Sequence, residues 1–242
     1  MITAGREWIM EGLPAGDVRA LRSPEEALAL IDRVGFVPLF ASDVRGCSLE
    51  ENTASSAWWN EFDPDGDPWN WRIQIAASGR CAYGKLFGGR AGFVSREWFP
   101  VLAAYRRDGY DFDSLYEDGK ASRRSKLIMD TLEKYGPLTS FELKPLAGFG
   151  KGGEKGFEGA VTRLQMQTYL TMQDFRRKRN KRGEEYGWMT GVLAPAETLF
   201  GYDHVTSAYH LSREQAMDKM AAHLHALWPD ATDAQIEMLL KG

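Results

Sequence analysis

The sequence is short of the residues on which most recognisable catalytic centres are built. Its 242 residues include two cysteines, Cys47 and Cys81, and four histidines, His204, His210, His223 and His225. The cysteines form no C-x-x-C pair and no histidine stands at a zinc spacing from them, so no metal is expected. Two isolated thiols suit a reducing cytoplasm; a single disulfide between them is the alternative. No G-x-S-x-G, no phosphate loop ending in G-K-[ST] and no H-E-x-x-H occurs, which removes three common enzyme signatures. No run approaches the roughly 18 apolar residues of a membrane span. The opening MITAGREWIM lacks the basic segment and apolar core of a signal peptide. Repeats and low-complexity segments are absent too. A cytoplasmic protein without cofactor, metal or membrane partner is the expectation.

What is present is charge in an uneven arrangement. The whole chain carries −4, yet residues 120–186 hold fifteen Lys/Arg against eight Asp/Glu, a balance of +7, leaving −11 elsewhere. The positive charge peaks in DFRRKRNKRGEEYGW, where Arg176, Arg177, Lys178, Arg179, Lys181 and Arg182 crowd seven positions. Segregation of this kind points to one face built for an anionic partner. With 43% apolar and 26% charged residues the chain is otherwise ordinary for a globular protein with a substantial core.

Residues 120–195 have a distinctive element order. SRRSKLIMDTLEKYG predicts a helix with Ile128, Leu132 and Tyr135 on one side, and Thr139 with Glu142 sets a capping box for a second short helix. A third spans EKGFEGAVTRLQMQT, with Phe157, Ala160, Val161, Leu164 and Thr168 as its inward stripe. YLTMQDF and EYGWMTGVL then read as two strands, with the basic run as their turn. Three short helices and a hairpin are the order of a winged helix-turn-helix. The expected fold is therefore α+β, in three parts. Residues 1–119 form a mixed region with a helix from Ser23 to Gly35 and a hairpin at Gly88-Gly89; 120–195 form the winged module; and 196–242 form a helical cap with helices starting at SREQ and TDAQ.

In such a module the third helix enters the major groove and the hairpin tip lies along the backbone. Thr162, Arg163 and Met166 occupy the outward face of the third helix, with Gln165 and Gln167 on its flanks; Gln suits adenine and Arg suits guanine. The six basic tip residues would contact phosphates and supply salt-dependent affinity. The glycine-rich AGFGKGGEKGFEG follows no strand and reads as a turn into the third helix rather than a phosphate cradle.

Half of the eight tryptophans, Trp58, Trp59, Trp69 and Trp71, fall in SSAWWNEFDPDGDPWNWR. They read either as an aromatic pocket that stacks an extruded base or as a satellite core under a long loop. Asp63, Asp65 and Asp67 do not make a calcium loop, because the glycine is misplaced and Gln74 stands where the final glutamate belongs.

PLTSFELK, TRLQMQTYL and the hairpin closing on EYGW resemble a winged-helix domain of the AlkZ/YcaQ family of DNA glycosylases. The wider pattern DPWNWR, AYGKLF, GFVSREWFP, YRRDGYDFD is similar to AlkZ-related proteins over most of the chain. The resemblance implies tandem winged helices, duplex DNA as partner, and removal of alkylated or crosslinked bases through a Q-Φ-Q or Q-Φ-D pair that positions water. LQMQT is a literal match, but Gln165 and Gln167 on a helix point about 200° apart. The stretch matching the family's motif position is GFVPLF, where Pro38 and Phe40 replace the polar pair. The resemblance therefore implies fold and DNA binding more than catalysis. Should the chain be an active glycosylase, Gln165 and Gln167, or an acid near the tryptophans such as Glu50, Glu51 or Asp63, would orient water. A winged-helix protein-interaction or regulatory module is the third alternative.

Overall fold

The computed structural model describes residues 2–4 and 7–242, with side-chain surroundings from Met10 onward. Residues 1, 5 and 6, within the stretch read above for a signal peptide, lie outside them. Strands β1 (Ile2–Ala4) and β2 (Glu7–Ile9) pair as a separate antiparallel ribbon. Helix α1 (Pro24–Val34) starts where the Ser23 hydroxyl accepts the Glu26 N–H, and Gly35, at φ 82°, ends it and admits β3 (Phe36–Pro38). A loop with two 3₁₀ turns reaches α2 (Pro68–Ala77), which begins at an Asp67 cap with Pro68 in its first turn. Strands β4 (Cys81–Phe87) and β5 (Arg90–Ser95) are joined by Gly88 and Gly89, whose φ angles of 55° and 79° permit a two-residue turn.

Helices α3 (Phe99–Arg107), α4 (Phe112–Glu117) and α5 (Arg123–Tyr135) follow. Then come β6 (Leu138–Thr139), α6 (Ser140–Leu146), α7 (Phe157–Met166), β7 (Leu170–Arg179) and β8 (Glu185–Pro195). The chain closes with α8 (Ala196–Phe200), α9 (Tyr202–Thr206), α10 (Arg213–Leu227) and α11 (Asp233–Leu240). The capping boxes at Thr139, Ser212 and Thr232 are all formed.

Six strands make one antiparallel sheet in the order β3-β5-β4-β7-β8-β6. Its narrowest point is the joint between β4 and β7, where Tyr83 faces Met172. There the buried Thr171 hydroxyl accepts from the Tyr83 N–H at 3.3 Å and donates to the Tyr83 carbonyl at 3.0 Å. The sheet thus runs across the boundary drawn from sequence at residue 119, and the long basic hairpin grows directly out of the N-terminal strands.

Alternation along the strands sends side chains to two cores. Phe36, Ala82, Leu86 and Val94 pack with α3, α10 and α11 on one face, while Val37, Tyr83, Phe93 and Phe175 pack with α1, α2, Trp58 and Trp71 on the other. A third core joins α4 to α7 and the base of the hairpin through Ile128, Leu143, Leu164, Tyr169 and Leu193. Cys47 and Cys81 are both free and buried, and burial pushes each thiol up to about 12.

Two sequence expectations need correction here. Tyr135, placed on one side of α5 with the buried Ile128 and Leu132, is itself 51% exposed, because α5 ends at that residue. Thr168 is not on α7, which stops at Met166; it sits at φ +67°, buried just beyond the cap. Arg107 holds it there: its guanidinium donates to the Thr168 carbonyl at 2.6 Å and hydroxyl at 3.1 Å, and pairs with Glu197.

Candidate nucleic-acid interface

The basic run is more extended than its sequence suggests. Arg176, Arg177, Lys178 and Arg179 belong to β7 itself, and the turn comprises residues 180–184. Asn180 organises that turn, its side-chain oxygen accepting the N–H groups of Arg182 at 2.8 Å and Glu184 at 3.1 Å. The register puts Lys178 opposite Tyr186 and Arg179 opposite Glu185. Every residue from Arg176 to Trp188 is exposed. Arg179 pairs with Glu185 at 3.1 Å and Arg176 with Asp174 at 3.4 Å, both at the surface. Arg177, Lys178, Lys181 and Arg182 make no ion pair among the described residues, though Lys178 lies 5.3 Å from the Phe141 ring.

Sequence reasoning missed two residues on this hairpin. Trp188 is 92% exposed and Tyr186 51% exposed, beside the cations on β8. An indole placed fully in water gains nothing from folding. The available signal was EYGW itself, two aromatics in a strand flanked by charge. Between the hairpin and α6 runs a groove of about 570 Å³, lined by Phe141, Phe175, Arg176, Arg177 and Met189 among others.

Helix α7 departs from the arrangement expected of it. Gln165, placed on an outward flank by its spacing, is fully buried. Its Oε1 accepts the Lys85 N–H at 2.7 Å, and its amide lies against Gly84 of β4. Thr162 and Met166, assigned to the outward face, are half-buried against the β4–β5 hairpin. The Thr162 hydroxyl accepts from Lys85 Nζ at 3.2 Å, and both side chains lie beside Gly89. The reason is tertiary: β4 and β5 cover a face that an isolated helix would offer to solvent. Arg163 remains exposed, and Gln167 is half-buried at the helix cap. No hydrogen bond joins the Gln165 and Gln167 amides.

The tryptophans divide. Trp71 is core, its Nε1 donating to the Asp65 carbonyl at 2.7 Å, and Trp58 is buried with its Nε1 on the Thr53 hydroxyl at 2.9 Å. Trp59, 44% exposed and in a left-handed backbone at φ +53°, packs on Trp58 and Trp69 with centroids 6.1 and 6.4 Å away. Phe40 lies 5.5 Å from Trp58 and 6.5 Å from Trp69. The position at which the sequence comparison found Phe40 in place of a polar residue thus opens onto the aromatic patch. Hairpin and patch meet at Phe175: the Arg72 guanidinium sits 3.9 Å over Trp69 and 4.7 Å over Phe175.

The acids named from sequence do other work. Glu50 is buried, and its two oxygens accept the N–H groups of Glu11 at 2.9 Å and Ala41 at 2.8 Å. Glu51 accepts from the Ser48 hydroxyl at 2.6 Å, and Asp63 from the Gly66 N–H at 3.1 Å. The carboxylate beside the patch is Asp67, 3% exposed, the cap of α2; burial raises its pKa from the ordinary value. Among the described residues no cluster of His, Cys, Asp or Glu has a metal-binding arrangement, and no helix is long and apolar enough to cross a membrane. A cavity of about 820 Å³ beside α5 shares no residue with hairpin or patch.

These features define a mixed α/β protein whose antiparallel sheet extends into an exposed cationic hairpin beside an aromatic patch. The chain belongs to the AlkZ-related family: that family's model matches residues 21–241, every element from α1 to α11, which relates it to AlkZ-type DNA-repair proteins. Neither the curated proteins nor the solved structures yield a significant match.

Proposed function

We propose that this chain is a winged-helix protein that binds duplex DNA in a repair setting, with the β7–β8 hairpin as its main contact. The order α5-β6-α6-α7-β7-β8, with β6 antiparallel to β8, supports the winged-helix assignment. The observation that carries the reading is the hairpin: six cations on an arm exposed from residue 176 to 188, four of them without an ion pair among the described residues, together with an exposed indole. Cations of this kind gain affinity by releasing counterions from phosphates, and Trp188 offers a face on which a base or sugar can pack. Because β4 and β5 cover much of α7, its share of base readout falls to Arg163 and Gln167.

The geometry argues for binding ahead of catalysis. Gln165 is committed to a backbone N–H inside the protein, so Gln165 and Gln167 do not form a water-holding pair. One observation favours base excision as a second reading: the buried Asp67 carboxylate, the Trp59–Trp69 pair and the hairpin residue Phe175 lie around one side chain, Arg72.

Titration of a labelled duplex at several salt concentrations tests the first reading. Neutralising Arg176, Arg177, Arg179 and Arg182 together should weaken binding and lower the log–log salt slope by roughly 0.9 per lost phosphate contact. An unchanged slope removes the hairpin from the interface.

A further inference from the structure

Arg72 is a buried cation that makes no ion pair among the described residues. It is 7% exposed, and its Nε and Nη1 are sealed from solvent with no hydrogen-bond partner among the described residues. Burial lowers its pKa. Asp67 lies near enough to favour the charged guanidinium but makes no ion pair or hydrogen bond with it; its carboxylate accepts the Trp69 N–H at 2.9 Å and those of Trp59 and Asn60. Leaving a guanidinium in this condition is costly in a folded protein. Both π faces are occupied, by Trp69 and Phe175, so what remains for a ligand is the in-plane N–H edge. That edge suits a planar acceptor.

The surroundings supply the rest of a receptor. Trp59 is the outermost ring of the patch, more exposed than Trp58, and its left-handed backbone is strained for a bulky side chain. Displacing it bares the part of Trp69 against which it packs, the ring on which the guanidinium is stacked. Phe175, the other wall, lies two residues before Arg177 on β7, so the arm proposed to follow the phosphates leads into this site.

We propose that Arg72 is the recognition residue for an unpaired nucleobase, which stacks on Trp69 in place of Trp59 while the guanidinium donates to the acceptor atoms of the base. This rests on the DNA-binding reading above and adds to it a specificity-determining residue. A base fits better than a phosphate because the walls are flat and aromatic, and the donors lie sealed behind rings rather than at a solvated rim.

The test compares three duplexes of one length: fully paired, with a single unpaired purine, and with an abasic site at that position. Wild-type protein should prefer the unpaired purine over the paired duplex by roughly 5- to 150-fold, the value of one good base contact, and should not prefer the abasic duplex. Arg72→Met should erase the preference while leaving paired-duplex affinity and its salt slope unchanged. Its thermal midpoint should equal or exceed that of the wild type, since an unpartnered buried charge is removed. Arg72→Lys, which keeps the charge and loses the planar fork, should also lose the preference and guards against a misfolded Met variant. A preference that survives in either folded variant, or that holds equally for the abasic duplex, overturns the base-recognition proposal; so does wild-type binding without any preference. Absence of salt-dependent binding to every duplex overturns the DNA reading and this proposal with it.

Discussion

Gln165→Ala separates a packing role from a catalytic one. In the folded protein Gln165 Oε1 accepts the Lys85 N–H at 2.7 Å, inside the contact between α7 and β4. Truncation leaves that buried donor unpartnered, a loss of about 1–3 kcal/mol. It also opens a void beside Gly84, where the amide lies 3.4 Å from the position a β-carbon would take. Part of this is offset, because Nε2 has no hydrogen-bond partner among the described residues in the wild type and its desolvation is relieved. A net loss of about 1–3 kcal/mol follows, which lowers the thermal midpoint of a chain this size by about 2–12 °C. Gln165→Met, which refills the space without the acceptor, should recover the packing share alone. Urea denaturation gives the energies. Single-turnover release of an alkylated base from duplex DNA, at saturating protein and below the lowered midpoint, gives the chemistry. Gln165→Ala should lose stability while any base release stays within a few-fold of wild type, and Gln167→Ala should change stability by less than about 0.5 kcal/mol. A variant as stable as wild type but slower by the ~10²–10⁴-fold typical of a lost general base would refute the reasoning and place the active site on α7.

Two further substitutions probe the buried charges. Arg107→Met should cost about 3–5 kcal/mol by equilibrium denaturation, because it strands Glu197 and frees Thr168 from its left-handed conformation; a loss under 1 kcal/mol would contradict that role. Burial raises the folded pKa of Asp67 above the ordinary carboxylate value, so its contribution to stability is greatest below that ordinary value and is lost as pH rises through the raised pKa. Asp67→Asn keeps the helix cap and should become more stable relative to wild type as pH increases across that window; a pH-independent difference would show that the carboxylate is not desolvated.

Local signals in the sequence were strong wherever the chain punctuates itself. Ser23, Pro24 and Gly35 bracket α1, Gly88-Gly89 turns one hairpin, and Thr139 with Glu142 starts α6; each acts over a few residues and is visible without the fold. The site was less legible because its decisive contacts are long-range. The inward placement of Gln165 depends on Lys85, eighty residues earlier, since helical periodicity alone leaves a flank position on either side of solvent. The placement of Arg72 between two rings depends on Phe175 reaching α2 from β7, and DPWNWR gives no sign of it. The division of the tryptophans into core (Trp58, Trp71) and patch (Trp59, Trp69) likewise goes with long-range packing and with ring nitrogens that find acceptors on Thr53 and Asp65. Trp188 could have been noticed, since an indole among charges on a strand has no core to enter.

The most direct measurement is a map of photocrosslinks between the protein and a duplex carrying photoreactive thymidine analogues. With the β7–β8 hairpin as the main contact, crosslinks should fall on residues 176–188, Trp188 foremost, with a second, weaker set around Arg163, and they should fade as salt is raised. Crosslinks concentrated on α10 and α11, or a hairpin left unlabelled by a duplex that binds, would contradict this placement of the DNA.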